Sequence, residues 1–132
     1  MKFIITLLLV GFVSMTWCGK ECKCATVKYT EGEEMVIQFS ASWCGPCHSL
    51  KSTVDNSTLI QKHIKDNMRG YYLIDVESAS ENEKKWVKIG YKGGSIPYVV
   101  KYKYTKGQWV ETNSFTGGQS VPFILRWLKT SK

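Results

Sequence analysis

Two cysteines separated only by Gly45-Pro46 stand where a short apolar run gives way to a helical pattern, and no other stretch restricts the fold as much. The run Met35-Val36-Ile37-Gln38-Phe39 has the β-branched content and the length of a buried strand. Ser40-Ala41-Ser42-Trp43 follows, then Cys44 and Cys47, then Leu50 and Val54 four residues apart on one helical face. Gly45 allows a tight turn. Pro46 falls where a helix's first turn tolerates a residue without an N–H. A Cys-x-x-Cys pair at a strand-to-helix junction reads as a redox pair. Cys44 lies just before the helix, where free backbone N–H groups and the positive dipole end stabilise a thiolate. Cys47 lies inside the first turn and is expected to be the less exposed. Thiol–disulfide exchange needs a reachable thiolate to attack and a second thiol to release the mixed disulfide. Cys44 and Cys47 fit those two roles. The pair can also be read as a structural disulfide or as half of a zinc site. Zinc would need two more ligands, and only Cys18, Cys22 and Cys24 could supply them.

The rest of the chain alternates strand and helix patterns. Ala25 to Tyr29 alternates enough for an edge strand, and Thr30 to Glu34 is a polar turn. After Asp55-Asn56 interrupts the first helix, Ser57 or Thr58 caps a second one carrying Leu59, Ile60, Ile64 and Met68. Tyr71 to Val76 reads as a strand, and Trp86, Val87 and Ile89 as a short helix ending at Gly90. Gly93 to Pro97 is a loop. Tyr98–Tyr104 and Trp109–Phe115 are strands joined by a turn at Thr105-Lys106-Gly107-Gln108. Ser120 and Pro122 start a last helix with Val121, Ile124, Leu125 and Leu128 on its apolar face. A right-handed crossover from Met35–Phe39 to Tyr71–Val76 gives a parallel pair, and the later hairpin is antiparallel. The expected fold class is α/β, a mixed central β-sheet with helices on both faces.

At 132 residues the chain is one domain able to bury a core without structural disulfides. The net charge of +7 is spread over scattered lysines, the densest group being Lys101, Lys103 and Lys106. With no basic stripe and no nucleic-acid motif, no nucleic-acid partner is expected. Met1-Lys2 precedes a nearly unbroken apolar run from Phe3 to Val13, too short for a comfortable membrane span. Residues 1–18 are therefore expected to be a signal peptide or N-terminal anchor, and 19–132 the exported domain. Cleavage after Ser14-x-Thr16 or Thr16-x-Cys18, retention as an anchor, and a lipid on Cys18 are the alternatives. Cys18, Cys22 and Cys24 read more as a small structural disulfide or terminal remnants than as a metal clip.

Trp43-Cys44-Gly45-Pro46-Cys47 after a strand, Ile96-Pro97 before a strand and Gly117 before the last helix together resemble the thioredoxin family, over roughly Ala25 to Lys129. The broken helix from Cys47 to Leu59 is more similar to secreted thioredoxin-like domains, such as the C-terminal domain of the bacterial thiol:disulfide interchange reductase. The resemblance implies the thioredoxin fold and electron delivery to disulfides outside the cytoplasm, with no cofactor and no metal. It implies a cis bond at Ile96-Pro97, which places an imide beside the sulfurs. The Ile96 backbone then stays free to pair with a substrate strand. Trp43 would flank the site as an apolar platform. Gly117 would either let another backbone approach or simply serve a turn.

The sequence departs from the family in three places. Gln38 stands where thioredoxin has a buried acid, and Lys51 where the interchange-reductase domain has a second one. Ser52 replaces the proline that kinks thioredoxin's helix. His48 is either an acid–base group or a solvated side chain, and Lys51 either favours the Cys47 thiolate or points into water. His63 is expected on a solvated helix face. The reading is a protein-disulfide reductase whose partners are disulfide-bearing proteins and an upstream thiol–disulfide electron donor, with membrane attachment through the N-terminus left open. The alternative is a thioredoxin-fold binding module or redox chaperone with little turnover. A metal-binding chaperone is the third class.

Overall fold

The structure, a computed structural model, describes residues 28–130. Strand β1 (Glu34–Ser40) is followed by helices α1 (Gly45–Asn56) and α2 (Thr58–Asn67), strand β2 (Tyr71–Asp75) and helix α3 (Glu81–Gly90). The hairpin β3 (Tyr98–Thr105) and β4 (Gln108–Thr116) leads to helix α4 (Val121–Lys129). The sheet order is β2-β1-β3-β4. β1 runs parallel to β2, and the β1–β3 and β3–β4 pairs are antiparallel. The parallel pair closes through α1 and α2, the crossover that the order of elements predicts.

Local chemistry sets the helix limits. Asn56 and Ser57 break one helical run into two because the Ser57 hydroxyl accepts the N–H of Ile60 and caps α2. Ser80 and Glu83 form a reciprocal capping box at the start of α3. Ser120 caps α4, with Pro122 in its first turn. Lys106 and Gly107 both adopt positive φ in the β3–β4 turn, which suits the twist of a two-residue hairpin.

Alternation along β1 divides the core in two. Val36 faces α1, α2 and α4 with Leu50, Val54, Ile60, Ile64, Val99, Ile124, Trp127 and Leu128. Met35, Ile37 and Phe39 face α3, packing with Ile74, Val100 and Tyr102. Burying each such side chain contributes about 1.5–3 kcal/mol, so both faces are needed for a stable domain. Gly90 closes the second cluster. A methyl group there would overlap the Tyr102 hydroxyl and lie 2.9 Å from the Phe39 ring. Gly90→Ala is expected to destabilise the protein by about 1–3 kcal/mol, as overpacking does. Urea unfolding measures it, and an unchanged midpoint would mean that the two rings yield freely.

Some expectations need correction. Lys28 and Tyr29 are not in a strand, and the rest of the expected Ala25–Tyr29 strand lies outside the described residues. Tyr29 instead packs on Tyr104 and Trp109, with centroids 5.2 Å from each, and the Arg69 guanidinium covers its ring. β2 ends at Asp75, whose side chain turns back to bind the N–H groups of Glu77 and Ser78. The polar stretch before Trp86 is helical too, because the capping box starts α3 at Glu81. His63 is half-buried, not solvated, and burial followed by the charge of Lys129 lowers its pKa. Lys101, one of the densest group of lysines, is fully buried. The 1–18 leader, the boundary at residue 19, and Cys18, Cys22 and Cys24 lie outside the described residues.

Candidate active site

The end of β1 delivers the chain to the redox pair. Ala41 is buried, and its carbonyl accepts the N–H of Cys44, so the loop from strand to helix is one tight turn. Cys44 is the N-cap of α1 in extended conformation (φ −87°, ψ 99°). Its sulfur accepts the N–H of Cys47 at 3.2 Å, one of the amide donors that a helix start leaves without a partner. Cys44 and Cys47 are joined as a disulfide with Cα atoms 5.2 Å apart. Cys47 has no exposed surface and Cys44 retains 3 %, so any approach to the pair comes from the Cys44 side. Cys44 is thus more covered in the oxidised form than its place in the chain suggests. Ala41 and Ile96 close around the sulfurs.

Pro46 sits in the first turn of α1 and, like Gly45, is exposed. The Ile96–Pro97 bond is cis, and Pro97 is buried. Gly117 lies at φ +80° and donates its N–H to the Pro97 carbonyl at 3.0 Å. A Cβ on Gly117 would meet nothing within 4 Å. The turn therefore requires glycine through its positive φ, not through a close backbone approach.

Gln38 is fully buried beneath the helix. Its side-chain N–H donates to the Cys47 carbonyl at 3.0 Å, and its oxygen accepts the Tyr71 hydroxyl at 2.6 Å. Burial and the nearby charge of Asp55 push the Tyr71 phenol well above its ordinary pKa, which keeps it the donor. The group under Cys47 is thus a neutral amide held at both ends. Gln38→Asp is expected to speed release of the mixed disulfide near neutral pH, because a buried carboxyl of raised pKa can take the Cys47 proton. Losing the amide donor and burying an acid should cost about 1–3 kcal/mol of stability. Stopped-flow kinetics with no change or a slower step would mean that water already removes this proton.

The two basic side chains near the motif are engaged elsewhere. Lys51 pairs with Asp55 at 2.6 Å instead of turning toward Cys47. The His48 ring nitrogen Nε2 lies 2.9 Å from the Ser42 carbonyl, on the exposed side of the helix. Trp43 is 67 % exposed, and its indole N–H donates to Glu77 at 3.1 Å. Tyr71 and Glu77 were not among the sequence-expected site residues. Gln38, a lone polar residue in an apolar run, was a local signal. Its partner 33 residues away and Trp43's partner 34 away left none. Among the described residues, no three His, Cys, Asp or Glu side chains are grouped to hold a metal.

The family model described as Thioredoxin matches residues 25–120. A sequence search of curated proteins gives no match. Among solved structures, a thioredoxin from Thermus thermophilus superposes with a TM-score of 0.61 at 14 % identity, over 74 % of this chain and 72 % of the other. A thioredoxin-fold protein from Helicobacter pylori gives 0.59 at 17 % identity, over 76 % and 70 %. Trichomonas vaginalis thioredoxin gives 0.55 at 22 %, over 73 % and 77 %. At these identities the superpositions show the fold, and the matching family model covers most of the chain.

Proposed function

The chain belongs to the thioredoxin family and is a thiol–disulfide oxidoreductase, and from that premise we propose that it reduces protein disulfides outside the cytoplasm. The observation that carries this reading is the Cys44–Cys47 disulfide at the start of α1, packed against Ile96 of the cis-proline loop. In the reduced protein the Cys44 thiolate attacks one sulfur of a substrate disulfide. The substrate's other sulfur leaves as a thiolate and takes a proton. Cys47 loses its proton and attacks the Cys44 sulfur, releasing the second substrate thiol. Two electrons pass to the substrate, and Cys44–Cys47 is left as the disulfide. An upstream dithiol must then return two electrons.

The direction of flow follows from how little stabilises a Cys44 thiolate. An oxidant needs its reduced form strongly favoured, which requires a deeply stabilised thiolate. Gly45 and Pro46 bring no cation and no side-chain donor. Lys51 is neutralised by Asp55, and His48 is tied to Ser42. The helix end and one amide remain, which favours a modest effect and a stable disulfide. Export rests on the Phe3–Val13 run, which also offers a route to membrane attachment. Among the described residues no helix is long and apolar enough to cross a membrane.

Equilibration against glutathione buffers tests the direction. The pair is expected to stay oxidised until glutathione is almost wholly reduced. A pair that stays reduced where glutathione is mostly oxidised would make the protein an oxidant.

A further inference from the structure

Trp43 is the most exposed of the large apolar side chains among the described residues, yet its indole is fixed by Glu77. Glu77 is itself held. The Asp75 carboxylate accepts the N–H of Glu77 at 2.8 Å and of Ser78 at 3.2 Å, which sets the turn after β2. Trp43 takes one Glu77 oxygen and leaves the other without a side-chain partner among the described residues. Glu77 has no ion-pair partner among the described residues.

Trp43, Cys44, Glu77, Tyr91 and Ile96 line one open groove of about 500 Å³. Among the described residues Glu77 is the only charged one lining it, and no Lys, Arg or His does. The Tyr91 hydroxyl donates its proton to the Gly94 carbonyl at 2.7 Å. On a chain of net charge +7, the groove beside the sulfur of Cys44 carries the opposite sign. A substrate strand lying in it brings its flanking side chains past a fixed carboxylate with one free oxygen.

We propose that Glu77 is a specificity-determining residue, selecting disulfides whose reacting cysteine is flanked by lysine or arginine. The inference rests on the reading of Cys44 as the attacking sulfur. The contact is partly solvated, so it acts on encounter and binding, weakens with salt, and appears in KM more than in kcat.

The test uses the full chain and three peptides, each closed by one disulfide and differing only in Lys, Ser or Glu beside the reacting cysteine. At low salt the wild type is expected to reduce the Lys peptide with a kcat/KM about threefold above the Ser peptide, the size of a partly exposed pair. The Glu peptide should fall below both, and molar salt should erase the differences. Glu77→Gln keeps an oxygen for the Trp43 indole but removes the charge, and should bring the three peptides to equal kcat/KM. Equal values in the wild type, or a Lys preference that survives in Glu77→Gln, would overturn the proposal. Failure to reduce even the Ser peptide would instead remove the reading of Cys44, and this proposal with it.

Discussion

Cys44→Ser is expected to lower disulfide reduction to the uncatalysed rate, while Cys47→Ser should accumulate a mixed disulfide between Cys44 and the substrate. The asymmetry follows from position. Cys44 caps α1, where a backbone amide already points at its sulfur, and it holds what little exposure the pair has. Cys47 is sealed in the first turn and can reach only the sulfur of Cys44 itself. Without Cys47 the first exchange still occurs, but no other cysteine among the described residues completes the second. Mass spectrometry of Cys47→Ser with a substrate protein should show the covalent adduct, and dithiothreitol should release it. A Cys47→Ser protein that keeps full activity and traps nothing would reverse the assigned roles.

Lys101→Ala is expected to cost about 3–5 kcal/mol, the range for breaking a buried ion pair from one side. The Lys101 amine donates to the carbonyls of Trp127, Leu128 and Thr130, closing the C-terminal end of α4. It also lies 3.8 Å from a Glu34 carboxylate oxygen and 5.6 Å from the centre of the Trp127 ring. Burial lowers its pKa, Glu34 opposes that, and Lys103 adds to it. Truncation strands three carbonyls and Glu34 while opening space in the core. Lys101→Met restores most of the apolar stem, so it should recover part of the loss and leave the polar remainder. Urea unfolding of both variants separates the two contributions. A loss below about 1 kcal/mol for Lys101→Ala would place its weight with ordinary surface lysines.

The contrast between these residues shows what a sequence can carry. The redox pair was legible because its chemistry is local: a strand, two cysteines three positions apart, and a proline in a helix's first turn. A cap at Ser57 or Thr58 was legible for the same reason, since a cap is a contact three residues long, and the structure gives it to Ser57. The cis bond at Ile96–Pro97 was expected from the family resemblance alone. Lys101 was not legible. Alternation along Tyr98–Tyr104 places it on the face of Val99, but the end of α4 that it closes lies 26 to 29 residues further on. The strand register also slips between Lys101 and Tyr102, where Thr112 is the extra residue. Tyr71 and Glu77 were hidden likewise, each meeting its partner only after the chain crosses from β1 to β2.

Reduction of insulin by the full-length protein, with dithiothreitol as the electron source, tests the central claim most directly. The wild type should precipitate the insulin B chain well ahead of dithiothreitol alone, and Cys44→Ser should match the dithiothreitol control. A folded wild type no faster than that control would contradict the assignment of Cys44 and Cys47 as a working redox centre.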